Sequence, residues 1–126
     1  MYPFIGRHFI ASYCGCATNS LTDHARLLSA LERGARAAGA TVLDRSIRAF
    51  APEGFTAVVV VLLSESHATI HTYPEHRACF VDLFTCGLNC SAEKFDVALC
   101  EWLRPTHVDR RVFVREVEVR EDGLSS

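Results

Sequence analysis

The stretch "TAVVVVLLSESHATIHTYPEHRACFVDLFTCG", from Thr56 to Gly87, decides the fold. Its first part, "AVVVVLL" (Ala57 to Leu63), has the length and β-branching of a buried strand. "ATIHTY" and "CFVDLFT" read as two further strands on either side of the short polar "PEHR". Working outward, "GRHFIASY" (Gly6 to Tyr13) reads as a first strand and "ATVLDRSIRAF" (Ala40 to Phe50) as a second, with "PEG" (Pro52 to Gly54) as the turn into the third. "RVFVREVEVR" (Arg111 to Arg120) alternates as a last strand, and "EDGLSS" is a tail expected to fray.

Two helical patterns frame this block. Ser20, Thr22 and Asp23 open the first, Leu27, Leu28, Leu31, Ala35 and Ala38 form its apolar stripe, and Gly39 is its stop. Ser91 caps the second, with Phe95, Ala98, Leu99 and Trp102 at helical spacing and Pro105 beyond its end. Strands cluster between the helices. The expected fold is therefore α+β: a two-layer α/β sandwich, an antiparallel sheet with helices packed on one face.

The 126 residues suffice for a single domain spanning 1–126. Hydrophobic residues make up 49% and charged residues 22%, as in ordinary globular chains. The formal charge of -2 lacks the basic surplus of a nucleic-acid binder, so no such partner is expected. No apolar run approaches the roughly 20 residues that span a bilayer. Arg7 and His8 interrupt the place where a signal peptide would be apolar, which points to the cytoplasm. Without a secretory signal, the six cysteines are not expected to form a disulfide framework. Cys14-Gly-Cys16 and Cys86-x3-Cys90 also lack the paired C-x2-C spacing of structural zinc. Cys79 and Cys100 read as small buried thiols.

The chemistry concentrates at Glu65-Ser66-His67. A serine hydroxyl in a strained turn can attack the carbonyl before it and convert the peptide into an ester. A base that removes the serine α-proton then breaks the chain by β-elimination, and hydrolysis of the resulting dehydroalanine leaves a pyruvoyl group. Such a group is an electron-poor ketone able to form a Schiff base with an amino acid and accept electrons as carboxylate leaves, the task pyridoxal phosphate performs as an added cofactor. His71 is a candidate base and Cys86 a candidate proton donor. The plainer reading is a serine in a turn beside two partly exposed strand histidines. A zinc site on His67 and His71 is disfavoured, because i and i+4 in a strand lie roughly 13 Å apart and no glutamate sits between them as in H-E-x-x-H. No metal is expected. A Cys86–His71 nucleophilic pair is a further alternative.

"SESHATIHTYPE" followed by "DLFTCG" resembles the bacterial S-adenosylmethionine decarboxylase proenzymes, self-cleaving pyruvoyl enzymes of polyamine synthesis. The resemblance extends to "GRHFIASYCGC" and "GATVLDRSIRAFAPEG" and covers most of residues 6–104. It implies cleavage between Glu65 and Ser66, giving a β chain of residues 1–65 and an α chain of residues 66–126. It implies a covalent pyruvoyl cofactor derived from Ser66, which forms the Schiff base. It assigns processing to His71, proton donation to Cys86 and ribose binding to Glu75, whose two oxygens suit a vicinal diol. Phe50 and Tyr13 become candidate adenine-stacking residues. The implied fold is an α/β sandwich and the implied assembly a homodimer of processed αβ units. The implied activity is decarboxylation of S-adenosylmethionine to the aminopropyl donor for spermidine; the alternative is L-ornithine or L-arginine decarboxylation by the same machinery. A homologue that only bound a partner protein would need none of Ser66, His71 and Cys86. Ser12 and Ala17 stand where family members carry acids, Cys14 replaces an aromatic, Tyr73 replaces the usual tryptophan, and His76-Arg77 replaces a common Tyr-Gly pair. The segment from Phe50 to Ser66 is two residues longer than usual, a change that preserves strand-face alternation.

Overall fold

The computed structural model describes residues 5–50, 56–64, 66–86 and 90–117. The "PEG" turn, Glu65 and the "EDGLSS" tail lie outside these residues. The elements run β1 (Ile5–Cys14), α1 (Thr18–Thr22), α2 (His24–Ala37), β2 (Val42–Phe50), β3 (Thr56–Leu63), β4 (Ser66–Tyr73), a 3-10 turn (Pro74–His76), β5 (Ala78–Cys86), α3 (Ala92–Leu103) and β6 (His107–Glu116). The strands form a six-stranded sheet in the order β2-β3-β4-β5-β1-β6, and every neighbouring pair is antiparallel. The helices cover one face, so the α+β two-layer sandwich is the observed architecture. No described helix is long and apolar enough to cross a membrane.

Strand alternation sorts the side chains into two faces. Phe9, Ala11 and Tyr13 on β1, Val59, Val61 and Leu63 on β3, Ala68 and Ile70 on β4, and Cys79, Val81 and Leu83 on β5 pack against Leu27, Leu31, Ala35, Phe95, Leu99 and Leu103 of the helices. Gly34 lets α2 approach α3 closely: a Cβ there would sit 3.0 Å from the Phe95 ring. Glu32 is buried and held by Arg36 at 3.3 Å and by Arg45 of β2 at 3.0 Å. That pairing satisfies a charge that burial would otherwise penalise and ties β2 to the helical layer.

Three details depart from the pattern reading. The first helix is two helices, broken at Asp23 (φ −81, ψ 84), whose side chain accepts from the Arg26 N–H and caps α2. Leu103 rather than Trp102 completes the buried stripe of α3, and the half-buried Trp102 donates its indole N–H to the Ser20 carbonyl at 2.9 Å. β6 starts at His107 instead of Arg111, because it pairs with β1 along the whole length from Cys14–His107 to Ile5–Glu116. Ladder pairing, and not its own alternation, sets where that strand begins.

Candidate active site

The candidate residues lie at the two ends of the sheet: Phe50, His71 and Cys86 take the strand parity of the face away from the helices, and Ser66 shares the parity of the buried Ala68 and Ile70. At one end, Ser66 opens β4 and Cys86 closes β5. The Cys86 backbone N–H donates to Ser66 Oγ at 3.2 Å, and Cys86 lies opposite Gly6 of β1. Both side chains are half-buried. Leu63 of β3 and Ser66 of β4 are paired across the ladder.

Beside them stands an array that crosses three strands. Asp82 Oδ2 lies 2.7 Å from His8 Nε2 and 3.4 Å from His67 Nε2, and Asp82 Oδ1 accepts from the Thr69 hydroxyl. Burial works to raise the Asp82 carboxyl. The hydrogen bonds from Thr69 and His8 and the neighbouring imidazoles outweigh burial and hold it below the usual carboxylate range. Phe84 stacks on His67 with ring centres 5.7 Å apart and meets His8 edge-on, also at 5.7 Å. Gly6 makes room for it: a Cβ at that position would sit 2.7 Å from the Phe84 ring. The carboxylate and the two imidazoles lie close enough to suggest a metal centre, but 2.7 Å is a hydrogen-bond distance. Two ligands of one tetrahedral ion with bonds near 2.0 Å stand about 3.3 Å apart. In this cluster His8 and Thr69 hydrogen-bond Asp82, and His67 stands 3.4 Å away without a hydrogen bond to it.

At the other end of the sheet lie Phe50, His71, Tyr73 and, in the 3-10 turn, Glu75. His71 is exposed, paired with Val58 on β3 and Phe80 on β5. Phe50 closes β2 and is 44% exposed. Glu75 is exposed, 4.0 Å from His76 Nε2. The structure therefore brings Ser66 and Cys86 together but leaves His71 five residues up the same strand, about 16 Å away at roughly 3.3 Å per residue. The spacing that separates His67 from His71 within β4 likewise keeps them from sharing one metal ion.

Tyr13 is corrected. It is fully buried on the helix side, and its hydroxyl donates to Asp96 at 2.5 Å, with Arg110 Nε 2.9 Å from the other oxygen. Burial and the Asp96 contact both raise its pKa, so the residue stays a neutral structural donor. Its ring cannot stack on a substrate at the open face. All six cysteines are thiols. Cys79 is buried, and its hydrogen bond with Cys16, reinforced by burial, keeps it protonated. Cys100 is half-buried, not fully buried, and contacts Asp96 at 3.7 Å.

A groove of about 510 Å³ between α2 and α3, lined by Arg33, Val97 and Glu101, lies away from all of these groups. Sequence reasoning missed His8, Asp82 and Gly6 as site residues. The available signal was a carboxylate inside the otherwise apolar alternation of "CFVDLFT", on the same strand face as Phe80 and Phe84.

Comparison with known proteins adds a family assignment. The family model described as S-adenosylmethionine decarboxylase matches residues 7–116. An S-adenosylmethionine decarboxylase proenzyme of Hydrogenobaculum sp. (strain Y04AAS1) is 36% identical over 117 residues, covering 93% of this chain and 86% of that protein. The proenzyme of the same name from Methanococcus maripaludis (strain C5 / ATCC BAA-1333) is 34% identical over 121 residues, covering 93% and 98%. The crystal structure of the adenosylmethionine decarboxylase from Aquifex aeolicus VF5 superposes with a TM-score of 0.81 at 29% identity, over 95% of this chain and 97% of that one.

Proposed function

The chain belongs to the S-adenosylmethionine decarboxylase family, and from that premise we propose that it is a self-cleaving proenzyme that decarboxylates S-adenosylmethionine, yielding the aminopropyl donor for spermidine. The carrying observation is the hydrogen bond from the Cys86 backbone N–H to Ser66 Oγ, at one end of the sheet. In this reading Ser66 Oγ attacks the Glu65 carbonyl. Elimination then releases residues 1–65 with a terminal carboxylate that keeps the serine oxygen. Hydrolysis expels ammonia and leaves a ketone at residue 66. That pyruvoyl group supplies an electron-poor carbonyl for the substrate amine. The position fits such a group: removal of Oγ leaves the Cys86 N–H pointing at residue 66, a donor that a carbonyl oxygen can satisfy. Cys86, half-buried at the strand end, is the proton donor to the product carbon.

The separation of His71 from Ser66 supports a homodimer with composite sites. Ile10, Leu62, Phe80 and Phe113 are exposed on the open face of one copy, where a single chain would leave large apolar side chains in water. β3 is apolar on both faces, as expected of a strand covered on both sides. A second copy laid face to face, about a two-fold axis running across the strands, sets the partner's His71, Phe50 and Glu75 against Ser66 and Cys86. The same operation forms the second site. His71 then promotes processing in trans, and Phe50 and Glu75 take the adenine ring and the ribose diol. The reported relatives are named for S-adenosylmethionine, which favours it over ornithine or arginine. Decarboxylation of labelled S-adenosylmethionine, ornithine and arginine side by side tests the substrate: carbon dioxide from S-adenosylmethionine is expected, and release only from ornithine or arginine overturns the assignment.

A further inference from the structure

We propose that Arg77 is a positioning residue for substrate binding: its guanidinium locks the Pro74–His76 turn onto the end of β1 and so sets where the Glu75 carboxylate stands. The proposal rests on the reading of Glu75 as the acceptor for the ribose diol. It starts from a backbone conformation. Arg77 has φ 51 and ψ 40, in the left-handed region. Glycine takes that region freely, and a residue with a side chain resists it because Cβ crowds the backbone. Such a residue stays there only where its surroundings over-determine it.

Four hydrogen bonds do so here. The Arg77 backbone N–H donates to the Pro74 carbonyl at 3.0 Å and closes the turn, and the Arg77 carbonyl accepts from the Cys16 N–H at 2.9 Å. Residues that pair in an antiparallel ladder can exchange both N–H···O bonds, but the Arg77 N–H is already turned to Pro74. The side chain supplies the second donor: Nε–H donates to the Cys16 carbonyl at 3.1 Å and Nη2 to the Gly15 carbonyl at 3.5 Å. The planar fork of a guanidinium suits two neighbouring carbonyls at once. The receiving end is fixed. Cys16 is buried. Gly15 lies so close to Thr106 that a Cβ would overlap its hydroxyl, and the Thr106 N–H donates to the Cys14 carbonyl at 2.9 Å. Glu75, two residues before Arg77, has no such hold of its own. Its carboxylate is exposed and meets only His76, at 4.0 Å, among the described residues. The main chain of the turn therefore decides where its two oxygens lie, and a vicinal diol calls on both.

The test measures kcat and KM of the processed enzyme for S-adenosylmethionine, together with hydrogen exchange of the residue-77 and Cys16 amides. Arg77→Lys keeps the charge and the backbone preference and replaces the fork with a single ammonium. It is expected to raise KM about tenfold, the loss of one charge-assisted hydrogen bond, with kcat nearly unchanged and both amides exchanging faster. Arg77→Gly relieves the left-handed backbone and also lacks the guanidinium, so it should raise KM similarly, and it carries the measurement if Arg77→Lys fails to fold. A purely structural role would lower stability and leave the KM of the folded variants alone. Glu75→Gln should raise KM at least as far. Adding Arg77→Lys to it should raise KM no further, because Arg77 acts through Glu75. An unchanged KM in the Arg77 variants overturns the proposal. So do losses that multiply in the double variant, which would make Arg77 a direct contact of the substrate. If Glu75→Gln leaves KM unchanged, the reading of Glu75 as diol acceptor falls and takes the proposal with it. Exchange of the two amides unmoved by Arg77→Lys would instead remove the clamp itself.

Discussion

Two variants that are each dead alone should restore cleavage when mixed. Within one chain Ser66 and His71 lie about 16 Å apart along β4 at roughly 3.3 Å per residue, far beyond the 2.6–3.2 Å reach of a general base. If the partner's His71 serves Ser66, a chain with Ser66→Ala and a chain with His71→Ala form a heterodimer with one intact site: Ser66 of the second chain faces His71 of the first. Random pairing at equal expression makes about half of the dimers mixed. About half of the His71→Ala chains should therefore be cut at residue 66, and none of the Ser66→Ala chains. Action within one chain predicts no cleavage in the mixture, since neither chain has both groups. Co-expression with tags of different length and intact mass analysis gives the fractions. No cleavage in a mixture shown to contain heterodimers refutes the composite site, and normal cleavage of His71→Ala by itself refutes His71 as the base.

Cys86→Ser should process normally but turn over slowly and inactivate faster by transamination, because a hydroxyl is a far weaker acid than a thiol; turnover and inactivation equal to the native enzyme would remove Cys86 as donor. Tyr13→Phe should lower unfolding free energy by about 1–3 kcal/mol, the cost of leaving a buried partner short of a hydrogen bond, as read by urea denaturation. The KM of folded Tyr13→Phe should not change, and a raised KM would return Tyr13 to the substrate site. The folded Asp82 carboxyl titrates below its unfolded value of about 3.9. Its stabilisation is then fully present above about pH 4 and lost as pH falls through the lower folded value, so Asp82→Asn should flatten that acid limb of the stability curve; an identical limb in both proteins would contradict the array. Phe95→Ala should cost about 3–5 kcal/mol, because its fully buried ring packs against Phe9 and fills the approach at Gly34.

The fold was legible where hydrophobic runs are long. "AVVVVLL" could only be a buried strand, and the clustered strands between two helical stripes implied the antiparallel sheet that forms. Boundaries set by partners were not legible. "HVDR" carries no apolar alternation, yet β1 recruits it into β6. The face assignment of Tyr13 was readable in principle: Phe9, Ala11 and Tyr13 share a parity and all three are buried. Family analogy pulled it instead toward the substrate. The motif names Ser66 and Cys86 together, and the Cys86 N–H lies 3.2 Å from Ser66 Oγ. His71 and Glu75 were named with them, though a strand's rise alone puts His71 far from Ser66. His8 and Asp82 meet across 74 residues through the β1–β5 register, which no local pattern encodes.

The most direct test of the whole account is the intact mass of the purified chain. Self-cleavage predicts two species, residues 1–65 ending in a free carboxylate and residues 66–126 lighter by one ammonia than a fragment starting with serine, the mark of a ketone in place of the amine. A single full-length mass, or a second fragment that begins with unmodified Ser66, would contradict it.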